Sequence, residues 1–178
     1  MCRTAGTTLV ELLTTLTIVA VLATVAVPSF HTFHLNSRRA AVVNGFLHSL
    51  FLARSEAIKR AQIVSVCPSG DAANCEPGAG DWTHGWIVFA NRDRDDPPVR
   101  DPGEHLIGHF EGWPGASITS NRRAYSFRPT TQGVVNGTIV FCDARGSAHA
   151  RAIIISHTGR PRVAQRDASG KPLRCPSG

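Results

Sequence analysis

The sequence predicts an α+β chain: one long N-terminal helix followed by a domain of short antiparallel strands. Three observations carry this expectation. Leu12 to Phe30 is 19 residues without a charge. From Ser37 the apolar residues recur at three- and four-residue steps, the period of a helix with one buried face. From Gln62 onward only short β-prone runs occur, each bounded by Gly, Pro, Asn or Asp. Runs of strands after a helix place that helix on a sheet face.

At 1.5 Å per residue the uncharged run makes about 28 Å of helix, close to the hydrocarbon thickness of a bilayer. It is longer than the apolar core of an ordinary secretory signal, and Pro28-Ser29-Phe30 leads into a further helical pattern. Arg3 precedes the span, so the positive-inside bias puts the N-terminus in the cytoplasm. Glu11 stands near the start of the run, where a carboxylate costs a few kcal/mol unless it finds a partner. It is either a charge at the membrane interface or one half of an ion pair in an assembly.

The helix is expected from about Thr7 to about Ala61, spanning the membrane over 7–30 and continuing as an amphipathic stretch over 31–61. Val43, Phe46, Leu47, Leu50, Phe51, Arg54, Ala57 and Ile58 form the stripe that packs on the sheet. Asn44, His48, Ser49, Ser55 and Lys59 fall largely between them. Pro28 is expected to kink the helix, and Gly45 is a second soft point. The β-rich domain occupies 62–178, with strands over Ile63–Pro68, Gly85–Ala90, His105–Phe110, Ser117–Thr119, Ala124–Arg128, Thr138–Cys142, Arg151–Ser156 and Arg162–Ala164.

Composition narrows the function classes. The chain has 178 residues, 42% hydrophobic and 18% charged, with a net charge of +6. That leaves room for one membrane segment and one domain, and excludes a large multidomain enzyme. Charge is polarised. From Asp81 to Glu111 seven acids face three bases; from Asp143 to Gly178 seven bases face two acids. A basic C-terminal end suits a polyanion such as nucleic acid or an acidic lipid surface. No G-x-S-x-G, H-E-x-x-H or P-loop occurs, so the sequence offers no catalytic constellation and implies no cofactor.

Cys2 lies near the N-terminus, and four cysteines remain: Cys67, Cys75, Cys142 and Cys175. They allow three pairings. Cys67 and Cys75 are eight apart across a turn-like stretch, so a local disulfide is natural. That leaves Cys142 to tie Cys175 and the basic C-terminus to a strand. A zinc site is the alternative, but it wants closer spacing than any found here. Asn91-Arg92-Asp93-Arg94-Asp95-Asp96 faintly resembles a calcium loop without its Gly and closing Glu; a solvated hairpin loop fits it better. Glu104, His105 and His109 suggest a metal cluster only if helical. In a strand, His105 and His109 are about 13 Å apart.

Gly6-Thr7-Thr8-Leu9-Val10-Glu11-Leu12 resembles the leader junction of type IV pilins and pseudopilins. The resemblance implies a leader over 1–6, cut after Gly6 by a prepilin peptidase, and a methylated Thr7. Glu11 then stands fifth in the mature chain and Pro28 twenty-second. The family usually starts with Phe or another apolar residue, and Thr7 departs from that. In the family the Glu neutralises the terminal amine of a neighbouring subunit, which gives Glu11 its partner and an assembly role.

The β-rich half resembles the FimT/GspH group of minor pilins. The resemblance rests on Trp82-Thr83-His84-Gly85-Trp86-Ile87-Val88-Phe89 with the acidic loop to Glu104. It rests also on Phe141-Cys142-Asp143 with Arg145-Gly146, and on Ile153-Ile154-Ile155-Ser156 running into Thr158-Gly159-Arg160. It implies a Gram-negative inner-membrane protein with a periplasmic domain, assembled with other major and minor pilins into an extracellular pilus.

Gly159-Arg160-Pro161-Arg162 resembles the GRxR motif through which FimT-type proteins contact DNA for natural transformation. Gly allows a tight turn, Pro stiffens it, and residues two apart in an extended segment point the same way. Two guanidiniums can each fork a phosphate. Arg166, Lys171 and Arg174 extend the patch. With few aromatics nearby, contact with the backbone of double-stranded DNA is expected, weakly sequence-specific and salt-dependent. His157 adds charge at low pH or is merely a strand-end polar residue. The alternatives are a solvated basic tail, a GspH-type pseudopilin serving type II secretion, and a structural minor pilin that primes assembly.

Overall fold

The computed structural model describes residues 6, 8–76, 81–130 and 136–176. Helix α1 runs over Leu9–Arg60, and Pro28 lies inside it without interrupting the assignment. Its start is set by Thr8, whose Oγ1 accepts the Glu11 backbone N–H at 3.3 Å. A Thr at this position satisfies one of the otherwise orphaned first-turn donors. Its end is a Schellman turn. Gln62 N donates to Ala57 O, Ala61 N donates to Ile58 O, and Ala61 takes φ +52°. Lys59 and Arg60 in the last turn both pair with Glu56.

The chain divides into two compact units, one up to Arg38 and one from Arg39 onward. In the first, apolar residues from Leu9 to Leu22 and Val27, Phe30 and Phe33 are exposed side chains on a helix long and apolar enough to cross a membrane.

The second unit contains the C-terminal part of α1 and eight strands. These are β1 (Ile63–Pro68), β2 (Gly85–Asn91), β3 (Leu106–Glu111), β4 (Ser117–Ser120), β5 (Tyr125–Phe127), β6 (Gly137–Cys142), β7 (Arg151–Ile155) and β8 (Pro161–Ala164). A short 3₁₀ turn, Ser147–His149, precedes β7. The strands form two four-stranded antiparallel sheets, in the orders β3-β2-β1-β5 and β4-β6-β7-β8.

One core serves both sheets. Val43, Phe46, Leu50, Ala53 and Ala57 of α1 are buried in the same cluster as Val64, Val66 and Val88 of the first sheet. Ile118, Ile139, Phe141, Ile153 and Ile155 of the second sheet complete it. Phe46 sits at its centre, with edge-on contacts to Trp82, Trp86, Tyr125 and Phe141 at 5.1–6.2 Å between ring centroids. Such aromatic geometry adds to simple burial.

The buried stripe differs from the expected one at three positions. Phe51 and Ile58 are more than half exposed, whereas Ser49 is fully buried. The Ser49 hydroxyl can be buried because it donates to Phe46 O at 2.7 Å, which satisfies it within the helix.

Candidate nucleic-acid interface

The Gly159–Arg162 segment closes the connection between β7 and β8 and runs into β8. Gly159 N donates to Ser156 O at 2.8 Å, and Ser156 N to Arg160 O at 3.1 Å. Ser156 Oγ accepts the Arg160 N–H at 3.2 Å and pairs with Thr158 Oγ1 at 2.8 Å. The tight closure needs φ +73° at Gly159, a conformation that a Cβ would strain. Pro161 opens β8 opposite Ile155, and Arg162 lies opposite Ile154.

The turn is also tied to the helix. Arg54 Nη1 donates to Thr158 O at 3.2 Å and to Gly159 O at 3.3 Å. Both carbonyls are therefore held from below while the two arginines of the turn stay outside. Sequence reasoning placed Arg54 in the packing stripe and missed this role; the one signal was a lone cation among apolar stripe positions.

Arg160 and Arg162 are both exposed, and among the described residues neither has an ion-pair partner. In the register of the sheet, Ile153 and Ile155 face the helix core, so Arg162 opposite Ile154 faces away from it.

The remaining basic positions belong to a second turn. Arg166 bridges Pro172, and Arg166 Nη1 donates to Gly170 O at 3.1 Å. The Asp167 carboxylate accepts the backbone N–H groups of Ser169 and Lys171, each at 2.8 Å. Lys171 and Arg174 are exposed, while Leu173 between them is buried with Cys142, Ala150 and Ala152. Cys175 is disulfide-bonded to Cys142, and Cys175 N donates to Ser147 Oγ. The tail is thereby fastened to the outer face of the second sheet. The other disulfide joins Cys67 to Cys75.

Arg145, counted among the C-terminal bases, is spent on Asp143, with Nη2 2.6 Å from Oδ2. Burial opposes the charge of Asp143, but hydrogen bonds from the Arg145 side chain and backbone outweigh it and hold the carboxyl below its usual range. Gly6 is exposed just before the helix, and Glu11 is exposed in its first turn. Thr7 lies outside the described residues.

The acidic loop spends its carboxylates on itself. Asp95 accepts Asn91 Nδ2 and Val99 N, and buried Glu104 accepts the N–H groups of Arg92 and Asp101. Among the described residues no three His, Cys, Asp or Glu side chains gather to hold a metal ion.

The family described as Type II transport protein GspH matches residues 42–159. The chain belongs to this family. Its fold is similar to that of the type IV minor pilin FimU of Pseudomonas aeruginosa strain PAO1, in two crystal forms. One gives a TM-score of 0.54 at 17% identity, covering 76% of this chain and 98% of that one. The other gives 0.56 at 18% identity, covering 80% and 98%. No curated protein matches. The chain is thus a member of the GspH family with a pilin-like fold similar to that of FimU. The family match ends at Gly159, so the arginines from Arg160 onward lie beyond it.

Proposed function

We propose that this GspH-family minor pilin binds double-stranded DNA through its β7–β8 turn, for uptake in natural transformation. The observation that carries the reading is the pair Arg160 and Arg162. Both are exposed and without an ion-pair partner among the described residues, on a turn held by Arg54 and by Gly159 at positive φ. Guanidiniums kept from internal carboxylates are available to fork phosphate oxygens. Arg166, Lys171 and Arg174 add charge on the disulfide-fastened tail.

In this reading the apolar helix anchors the chain once in the inner membrane, with the β-domain in the periplasm. The prepilin peptidase cuts after Gly6 and Thr7 is methylated. Glu11 then meets a neighbouring subunit's terminal amine during assembly with other pilins.

The test is a duplex-DNA titration of the full chain in nanodiscs of neutral lipid, across roughly 50 to 200 mM salt. Micromolar-range binding that weakens with salt and falls at least tenfold in Arg160→Ala/Arg162→Ala is expected. Equal binding by the double variant would falsify the assignment. The family description favours a second reading, a pseudopilin in type II protein secretion. A folded chain that ignores DNA moves the assignment there, or to a structural minor pilin that primes assembly.

A further inference from the structure

The second sheet brings another arginine group to the same end as the β7–β8 turn. Asn121 N donates to Thr138 O at 3.2 Å, and Thr138 N donates to Asn121 Oδ1 at 2.8 Å. Thr138 is opposite Ile154, and Ile154 is opposite Arg162. One row of the sheet therefore runs Asn121, Thr138, Ile154, Arg162. Three inter-strand spacings of about 4.8 Å put Asn121 roughly 14 Å from Arg162, and the turn that follows Asn121 is Arg122-Arg123.

This turn opens onto a cleft of about 390 Å³. Four arginines line it: Arg122 and Arg123 of the β4–β5 turn, Arg128 after β5, and Arg94 of the acidic loop. Two carboxylates share the lining, Asp95 and Asp96. Asp95 is turned onto its own loop by Asn91 and Val99, so the cations dominate the open space. Arg122 is fixed by donating to Asn136 O at 2.8 Å and Asn136 Oδ1 at 2.9 Å. Arg94, Arg123 and Arg128 are exposed, with no ion-pair partner among the described residues.

We infer that this arginine cleft is a second binding site for the phosphodiester backbone of duplex DNA. It rests on the reading of Arg160 and Arg162 as DNA contacts and extends it across the sheet. Asn121, at the rim of the cleft, stands from Arg162 at a spacing on the order of the 12 Å major-groove width, a span that one duplex can cover. Four arginines against two carboxylates, one of them turned onto its own loop, leave an excess of positive charge that suits a polyanion. Backbone contacts of this kind position the protein without reading sequence.

The experiment compares four forms of the full chain in neutral nanodiscs: wild type, Arg123→Ala/Arg128→Ala, Arg160→Ala/Arg162→Ala, and the quadruple variant. The readout is the salt dependence of duplex-DNA affinity. Loss of the cleft pair is expected to weaken binding several-fold and to make the log–log salt slope shallower by about 1 to 2. Arg123→Lys/Arg128→Lys should restore most of the slope, because it keeps the charge. The quadruple variant should bind more weakly than either double.

An unchanged slope in Arg123→Ala/Arg128→Ala, with loss of binding only in Arg160→Ala/Arg162→Ala, overturns the second site and leaves the first reading standing. A slope that falls only in the cleft variant supports the second site and removes the first. Binding of poly-glutamate in the cleft with no change in DNA affinity assigns it to an acidic protein partner and overturns the inference. A wild-type chain that ignores duplex DNA overturns both readings together.

Discussion

Tyr125 shows how one side chain links the core to solution pH. It is fully buried beside Phe46 and Trp82, and its hydroxyl lies 2.7 Å from Ser120 Oγ. Burial pushes its phenol up to about 12, against smaller lowering contributions from Ser120 and the Arg122 charge. A phenol raised above its unfolded value of 10 favours the folded state fully below pH 10. That contribution, about 2–3 kcal/mol, is lost as pH rises from 10 towards 12. The chain has a single Tyr. An ultraviolet titration of the folded protein should therefore show one phenolate transition near 12; a midpoint near 10 would contradict the buried environment. At this scale the sequence was partly legible. Phe46 could be read from its helical spacing, but Phe51 and Ile58 look equally apolar in sequence. Periodicity marks apolar positions without saying which of two adjoining stripes is covered.

Secondary elements were legible because alternation and turn residues are local signals. All eight strands lie close to where the sequence put them. Their partners were not legible. β1 pairs with β2 next to it in sequence and also with β5, far along the chain. Which strands share a sheet is set by these partners, and they make two sheets. Arg54 meets carbonyls more than 100 residues away, which no window of sequence displays. The C-terminal tail is an element held by a disulfide, a buried leucine and a hydrogen bond from Cys175 N to Ser147 Oγ. Removing the Cys142–Cys175 bond, whose ends are 33 residues apart, is expected to cost about 3–4 kcal/mol in denaturant unfolding. In the DNA reading, Cys142→Ala/Cys175→Ala should also weaken duplex binding by freeing Lys171 and Arg174. The pair Cys67→Ala/Cys75→Ala should leave DNA binding unchanged, since Cys67 stands toward the end of β1 opposite to Ile63, the β1 residue at the cleft. Equal effects of the two pairs would sink the positioning role of the tail.

For the whole molecule, the apolar helix and the β-rich unit demand different surroundings. The first unit exposes Leu12, Leu16, Ile18, Leu22 and Phe30, each more than half accessible. About 25 cal/mol per Å² of apolar surface disfavours leaving such a helix in water. The full chain should stay in the membrane pellet through an alkaline carbonate wash, whereas a form lacking residues 1–38 should leave it. Release of the full chain by carbonate would remove the single-pass anchor. The basic segment was legible as a charge run, but its division into a free pair, a fastened tail and a neutralised Arg145 depends on distant partners.

The order of the second sheet has a mechanical consequence. β8 lies at its edge and is hydrogen-bonded to β7 alone, so a tug on Arg162 peels one hairpin, rung by rung. A tug on Lys171 or Arg174 takes another route, through Cys175 and the sulfur bridge into β6, an interior strand. The hairpin is thus the compliant part and the tail the stiff tether. Tension shared between them is borne first by the hydrogen bonds of β8, then caught by a covalent strap that no stretching of those bonds can slip.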